Sequence, residues 1–463
     1  MDTASGIIQR LVQLPAQGST DAAADSTAIK ALLGSDVDDI TDFGDKLIVP
    51  GFIDTHTHGP QYVFSGTGMD LPLLAWLEKY TFPCESRFKD VDFAKDAYGK
   101  AVKRHLSYGS TTCSYFATIH TPAALVLADV CRDLGQRAFV GKVSMDRNSP
   151  DYYIEGTAEG CAEVEKFSRA VLDMTPTGAA SLKEADARLE PALEGYKFFA
   201  HPTLLNDPAR TPLIMPVITP RFVPTCTMEM MQELGRLSRK YGLPVQSHLS
   251  ESKGEIDWVS ALHPECKSYA EVYRVYGLLH DATYMAHCVH SDDAERALLA
   301  QTGCGVSHCA SSNFNLCSGV MDIRKHIAAG VKMSIGTDVA GGHSPSMLDA
   351  IRQSIVASTV TSFNVGQEYK PLTYQEAFHL ATMGGAQVLG MDKVLGNFEA
   401  GKKADLLIVD CKCEDSAFDV FEGEEALEQF QKFLFLGDHR NIKTIYIDGK
   451  KVLNGSGTLA ASV

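Results

Sequence analysis

The chain lacks the excess of positive charge that nucleic-acid and membrane-surface proteins carry. Its 463 residues include 42 lysines and arginines against 58 aspartates and glutamates, which gives a formal net charge of −16. Nucleic acids and anionic membranes are bound through basic surfaces, so we expect neither as a partner. No apolar run approaches the roughly 18 residues of a membrane span, and the first residues lack the features of a signal peptide. These absences predict a cytoplasmic protein.

Paired cysteines are also lacking. The chain has 12 cysteines, but no two of them form a Cys-x-x-Cys motif. The compact zinc deaminases that act on cytidine or tRNA adenosine require Pro-Cys-x-x-Cys, so that class is excluded. In a reducing compartment, unpaired cysteines are mostly buried as small apolar side chains. We therefore expect free thiols and neither disulfides nor cysteine-based zinc clusters.

Short apolar segments alternate with longer amphipathic segments along most of the chain. The predicted strands are one that ends at His58 and those at 111–115, 138–145, 213–218, 243–248, 283–287, 305–308 and 331–337. The helical patterns between them cover 91–108, 122–134, 157–172, 228–241 and 291–301. Eight strand–helix repeats of this kind predict an α/β protein with a (β/α)8 barrel, as in TIM-like folds.

Both ends of the chain depart from this alternation. Strand-like segments at 405–409, 442–447 and 451–453, with others at 7–14 and 46–49, predict a small β-sandwich accessory domain. We therefore divide the chain into three parts: 1–49 and 395–463 as the two pieces of the small β domain, and 50–394 as the barrel. Residues 173–212 show no clean period, and we expect this insertion on the N-terminal face of the barrel, away from the chemistry.

A His-x-His motif ends the first predicted strand. His56 and His58 follow an apolar run that passes through Pro50 and Gly51. Residues two apart on a strand point to the same face, so both imidazoles can reach one metal ion. Such a pair is a weak signal by itself, because packing or surface histidines give the same pattern.

The ends of three further predicted strands carry matching side chains. His248 closes one strand and is followed by Glu251, His287 closes the next, and Asp338 closes the last. Each residue alone could be a buried structural histidine, a helix cap or a surface acid. A barrel brings all of its strand ends to one mouth, so together they predict a metal site.

Longer segments resemble the amidohydrolase superfamily and, within it, the guanine deaminase family. The similarity runs from about residue 50 to residue 449 and includes 51–58, 70–77, 79–83, 115–120, 219–222, 246–251, 336–342 and 434–438. The His-x-His motif and Asp338 are shared across the whole superfamily. Trp76, Phe82-Pro83 and Arg221-Phe222 separate this family from others in the superfamily. The stretch before His56 is shorter than is usual in the family, and the insertion at 173–212 is longer.

The resemblance implies zinc-dependent hydrolysis of guanine to xanthine and ammonia in purine catabolism, by a homodimer. One Zn²⁺ per chain would be held by the metal ligands His56, His58, His248 and Asp338. Dinuclear relatives need a lysine on the fourth strand, and 213–219 contains none. Glu251, His287 and Asp338 would be catalytic, with Glu251 as the proton carrier and His287 as a hydrogen-bond partner of the attacking oxygen.

Substrate selection would lie with Gln61, Arg221 and Phe222. Guanine has two acceptors, O6 and N7, on one edge, which the fork of an arginine matches. A glutamine amide serves another edge, and a phenylalanine can stack on the ring. Two alternatives stay open: another aminohydrolase or chlorohydrolase of the superfamily with a different heterocycle as substrate, and a non-enzymatic scaffold, which would usually have lost metal ligands.

Overall fold

Eight parallel strands form a ring in the computed structural model, which describes residues 1–12, 40–187 and 202–453. The strands are Phe52–His58, Ser110–Phe116, Arg137–Gly141, Ile214–Pro216, Val245–Leu249, Thr283–His287, Gly305–His308 and Lys332–Ile335. The first four pair in chain order as one parallel sheet, and the last four pair in chain order as another.

Backbone hydrogen bonds close the two sheets into one barrel. Between the fourth and fifth strands, the Gln246 N–H donates to the Ile218 carbonyl at 2.9 Å. Between the eighth and first strands, the Asp338 N–H donates to the carbonyl of His56 at 2.9 Å. The buried Asp54 reinforces this seam, since it accepts from both the amide and the hydroxyl of Thr337, at 3.0 and 2.5 Å. The predicted (β/α)8 barrel is therefore confirmed.

Helices follow the strands and bury their apolar faces against the barrel. The longer helices are Val91–Ser107, Thr121–Asp133, Thr157–Asp173, Pro176–Ala187, Met228–Tyr241, Lys253–Leu262, Tyr269–Val275, Asp293–Thr302 and Met347–Val365. The shorter ones are Leu73–Trp76, Phe82–Ser86, Pro202–Leu205, Ala310–Asn315, Ile323–Ala328, Tyr374–His379 and Gly385–Val388. Their ends follow local rules: the Thr227 side chain caps the helix Met228–Tyr241, and Gly242 ends it in the left-handed conformation.

A four-stranded antiparallel sheet stands beside the barrel. Its strands are, in order, Leu47–Pro50, Leu406–Val409, Ile442–Ile447 and Lys450–Leu453, and the helix Ala426–Leu436 belongs to the same C-terminal region. The predicted pairing of both chain ends is thus found. In residues 40–187 and 202–453, however, no second antiparallel sheet packs on this one to complete the predicted sandwich. Ile7 adds one bridge to Lys403, while the predicted segment 7–14 lies partly outside the described residues. The domain boundaries stay a prediction.

The insertion at 173–212 is partly helical, which its sequence pattern did not predict. The helix Pro176–Ala187 is tied to the preceding helix by a bidentate pair, in which Arg169 contacts Asp186 at 2.7 and 2.9 Å. At the other end of the insertion, the Pro212 carbonyl accepts from Arg137, which begins the third barrel strand. The described ends therefore lie away from the C-terminal mouth, and residues 188–201 lie outside the described residues. Across the described ranges, no helix is both long enough and apolar enough to cross a bilayer.

Candidate active site

Five side chains from four barrel strands meet at the C-terminal mouth. His56 and His58 end the first strand, His248 lies on the fifth, His287 ends the sixth, and Asp338 follows the eighth. His56, His58 and His287 are at most 3% exposed. His287 and Asp338 have φ angles of 73° and 48°, in the left-handed region that residues other than glycine rarely adopt. Strained backbone of this kind concentrates at functional sites.

Two imidazole nitrogens face one carboxylate, and a third imidazole lies beside them. The Nε2 atoms of His56 and His58 lie 3.2 and 3.4 Å from Asp338 Oδ1. The Nε2 atoms of His58 and His248 are 3.2 Å apart. His56 Nε2 is buried and has no hydrogen bond of acceptable geometry. Three imidazoles and one carboxylate are a donor set that fits a divalent metal such as zinc.

The backbone fixes which nitrogen His248 presents. Its Nδ1 lies 2.6 Å from the Arg221 carbonyl, which can only accept, so Nδ1 carries the proton and Nε2 is free to face the site. Backbone carbonyls orient metal-ligating histidines in the same way. Burial lowers the pKa of His56, His58 and His248, which favours the neutral, ligand-ready form of each ring. Burial alone would raise the pKa of Asp338, but the adjacent His56 holds it well below its ordinary value.

Glu251 and His287 form a second polar pair at the edge of this cluster. Glu251 Oε2 lies 3.5 Å from His287 Nε2, and His287 Nε2 lies 3.7 Å from Asp338 Oδ2. The Ser318 hydroxyl donates to Glu251 Oε1 at 2.9 Å, and His287 Nδ1 donates to the Asn313 side-chain oxygen at 2.9 Å. Burial raises the pKa of Glu251, which moves this carboxyl towards neutral pH, where a proton carrier is most effective.

A pocket opens above the cluster. Its polar lining comes from Gln61, Arg221, Glu251 and Asp338, together with His58. Its apolar walls are Leu73, Trp76, Leu77 and Leu316. Phe222 is buried next to Arg221 but does not line this pocket, and its ring centroid lies 6.4 Å from that of Trp258. The pocket therefore contains two of the three predicted substrate residues, and a role for Phe222 stays a prediction.

The structure adds a residue behind the pocket that the sequence analysis missed. Glu85 is fully buried and binds Arg221 and Gln61 together. It lies two residues after Pro83, just beyond the stretch 79–83 that resembles the guanine deaminase family, and this proximity was the only signal for it in the sequence. Asn313 and Ser318, which orient His287 and Glu251, were missed as well, because neither belongs to a motif.

Comparison with known proteins identifies the family of the chain. The model of the amidohydrolase family matches residues 47–452. Guanine deaminase from Dictyostelium discoideum is 46% identical over 413 residues, which are 89% of this chain and 84% of that protein. The chain belongs to the amidohydrolase family and, within it, to the guanine deaminases.

Other members of the family extend this match. Guanine deaminase from Mus musculus is 41% identical over 422 residues, 89% of this chain and 84% of that protein. A crystal structure of guanine deaminase from C. acetobutylicum, with guanine bound in its active site, superposes with a TM-score of 0.76 at 35% identity. That match covers 89% of this chain and 88% of the other.

Proposed function

We propose that this protein is a guanine deaminase that hydrolyses guanine to xanthine and ammonia. Water adds its oxygen to C2 of the purine, and the bond between C2 and the exocyclic amino nitrogen breaks to release ammonia. The observation that carries the proposal is the convergence of three imidazoles and two carboxylates beneath a pocket with a buried arginine. The similarity to guanine deaminases over 89% of the chain supports it.

His56, His58, His248 and Asp338 would hold one zinc ion per chain. When it is bound, zinc lowers the pKa of a coordinated water to about 7 and so supplies a nucleophile at neutral pH. The orphaned Nε2 of His56 and the fixed Nε2 of His248 support this assignment. The fourth strand, Ile214–Pro216, carries no lysine that could bridge a second metal.

Glu251, His287 and Asp338 would be the catalytic residues. Glu251 would take one proton of the attacking water at Oε2 and pass it to a ring nitrogen of the purine. It would then carry the second proton, from the added hydroxyl, to the departing amine. Ser318 holds the other oxygen, Oε1, so that Oε2 remains directed towards His287. Asn313 fixes the orientation of His287 by accepting from Nδ1, so donation from Nε2 to the attacking oxygen would require the doubly protonated ring. Burial alone would lower the pKa of His287, but Glu251 and Asp338 raise it and favour that form.

Arg221, Gln61 and Phe222 would select the substrate. The Arg221 guanidinium is 3% exposed, lines the pocket, and offers only donors, which match the O6 and N7 acceptors of guanine. Adenine has an amino donor at position 6 and would face these donors unpaired. Phe222 would act from behind the pocket wall by packing beside Arg221.

The test is direct. Purified protein incubated with guanine should form xanthine and ammonia in equal amounts. Adenine and a triazine are assayed separately for comparison. The main alternative, an aminohydrolase or chlorohydrolase for another heterocycle, predicts faster turnover of one of those compounds. A non-enzymatic scaffold predicts no turnover of any of them.

We also propose a homodimer that acts in guanine catabolism in the cytoplasm. The helix Met347–Val365 exposes an apolar stripe at helical spacing, with Val356 48%, Val360 36% and Phe363 76% exposed. Such a stripe suits a second copy of the chain. All 12 cysteines are free thiols, which suits a reducing compartment. Light scattering should show a dimer that Phe363→Glu dissociates and the control Val91→Glu does not.

A further inference from the structure

One fully buried carboxylate gathers four donors behind the substrate pocket. Glu85 Oε1 accepts from Arg221 Nη2 at 3.2 Å and from Gln61 Nε2 at 2.9 Å. Glu85 Oε2 accepts from Arg221 Nη1 at 2.7 Å and from the Tyr153 hydroxyl at 2.8 Å. Glu85 has 0% exposure, so water does not compete for these bonds.

This arrangement requires a group that only accepts. An ionised carboxylate has about four acceptor positions, and each one here meets a donor. An amide of the same shape would set its own N–H groups against those donors. The buried guanidinium of Arg221 would then lose its counter-charge, which is costly in a buried site.

The same contacts determine what Arg221 and Gln61 present to a ligand. Nη1 and Nη2 of Arg221 each donate one hydrogen bond to Glu85. The remaining N–H groups of the guanidinium are left to bind a ligand. Gln61 has its Nε2 fixed on Glu85, and its Oε1 accepts from the Ala340 N–H at 3.2 Å. The amide therefore cannot flip without opposing donor to donor and acceptor to acceptor.

We infer that Glu85 is a positioning residue that sets the hydrogen-bond polarity of the purine pocket by orienting Arg221 and Gln61 together. The ligand class that fits is a purine with acceptors on the edge facing Arg221, such as a 6-oxopurine. Glu85 itself does not line the pocket, so it acts through these two side chains. The inference rests on the proposed guanine deamination.

The test substitutes Glu85→Gln and separates binding from chemistry. We expect KM for guanine to rise at least about tenfold while kcat changes less than about threefold, because the affected contacts are made before and during the reaction alike. The ratio of guanine to adenine turnover should fall, and zinc content should not change. In a Glu251→Gln background, calorimetry should show the same loss of guanine affinity without turnover.

A matched control is available at the opposite end of the barrel. Asp405 pairs with the buried Arg137 at 3.0 and 3.3 Å, so Asp405→Asn also breaks a bidentate arginine–carboxylate pair. It should lower stability and leave KM for guanine unchanged. Tyr153→Phe removes only one of the four donors and should raise KM a few-fold, which keeps the inference testable if Glu85→Gln does not fold.

The outcomes separate two kinds of failure. In the first, the wild type turns over guanine, but folded Glu85→Gln or Tyr153→Phe keeps the wild-type KM and purine preference. That result would overturn the role of Glu85 and leave the proposed function intact. Additive losses in the double variant Glu85→Gln/Arg221→Ala would also overturn it, since residues that act through one another are not additive. Wild-type protein that neither binds nor turns over guanine would instead refute the proposed function.

Discussion

Replacement of Glu251 by glutamine is the sharpest perturbation of the proposed chemistry. The two side chains have the same shape, and the glutamine oxygen can still accept from Ser318 as Oε1 does at 2.9 Å. The amide nitrogen then occupies the place of Oε2, 3.5 Å from His287 Nε2, where it can no longer accept a proton. Geometry is preserved and proton transfer is removed.

The expected loss follows from the size of general acid–base catalysis. Such catalysis contributes about 10² to 10⁴ in rate, so kcat for guanine should fall by about two to four orders of magnitude in Glu251→Gln. Zinc content and guanine affinity should persist, since Glu251 is not among the proposed ligands. Ser318→Ala, which only loosens Glu251, should cause a much smaller loss, of about tenfold or less.

The assay follows xanthine formation under steady-state and single-turnover conditions, with metal analysis on the same samples. Single-turnover rates exclude product release as the step that is measured. If Glu251→Gln retains zinc and deaminates guanine at nearly the wild-type rate, Glu251 is not the proton carrier. His287 or Asp338 would then have to serve, and the assignment of roles at the mouth would be wrong.

Three further predictions concern the pocket, the metal and the buried histidines. Arg221→Ala should lower kcat/KM for guanine at least about tenfold, because losing a buried hydrogen-bond match costs about 1.4 kcal/mol or more, which is one decade. Zinc content should not change, and wild-type activity in that variant would show that Arg221 does not select the purine. Elemental analysis should find about one zinc per chain in the wild type and a loss of zinc in His248→Ala. Two tightly held metals per chain, or activity without metal, would contradict a mononuclear site. Burial lowers the pKa of His105 and His326 to about 4, so below pH 6.5 the unfolded chain takes up protons that the folded chain does not. The free energy of unfolding should therefore fall as the pH drops from 6.5 towards 4, by up to about 1.4 kcal/mol per pH unit for each histidine. In urea unfolding, the free energy of unfolding should depend less steeply on pH in His105→Gln than in wild type or in the control His343→Gln, which changes an exposed histidine. Equal slopes in all three proteins would show that the buried His105 does not cause the pH dependence.

Much of the barrel could be predicted because its elements obey local rules. The predicted strands 283–287 and 305–308 and the helix 228–241 agree with Thr283–His287, Gly305–His308 and Met228–Tyr241. The segment 138–145 was wrong as one strand. Arg137–Gly141 pairs with Ile214–Pro216, and Val143–Ser144 pairs separately with Thr219–Pro220. The strand pairing is therefore interrupted between Gly141 and Val143. Local periodicity carries no information about such a change.

The histidines and acids of the mouth were accessible to prediction because each one lies at or just after the carboxyl end of a strand. Glu85 was not, because its function depends on a partner 136 residues away in the sequence, and an acid in a short helix has no periodic signal of its own. The helix Pro176–Ala187 was missed for a related reason. It is anchored by the pair between Arg169 and Asp186, which a sequence pattern does not reveal.

The central claim is hydrolysis at C2 of guanine, and product analysis in heavy-oxygen water tests it most directly. The proposed chemistry predicts xanthine that carries one oxygen from the solvent, with ammonia formed in equal amount. Mass spectrometry of the purine and an enzymatic ammonia assay on the same reaction measure both products. Xanthine without the solvent oxygen, or guanine recovered intact from zinc-loaded protein, would contradict the account.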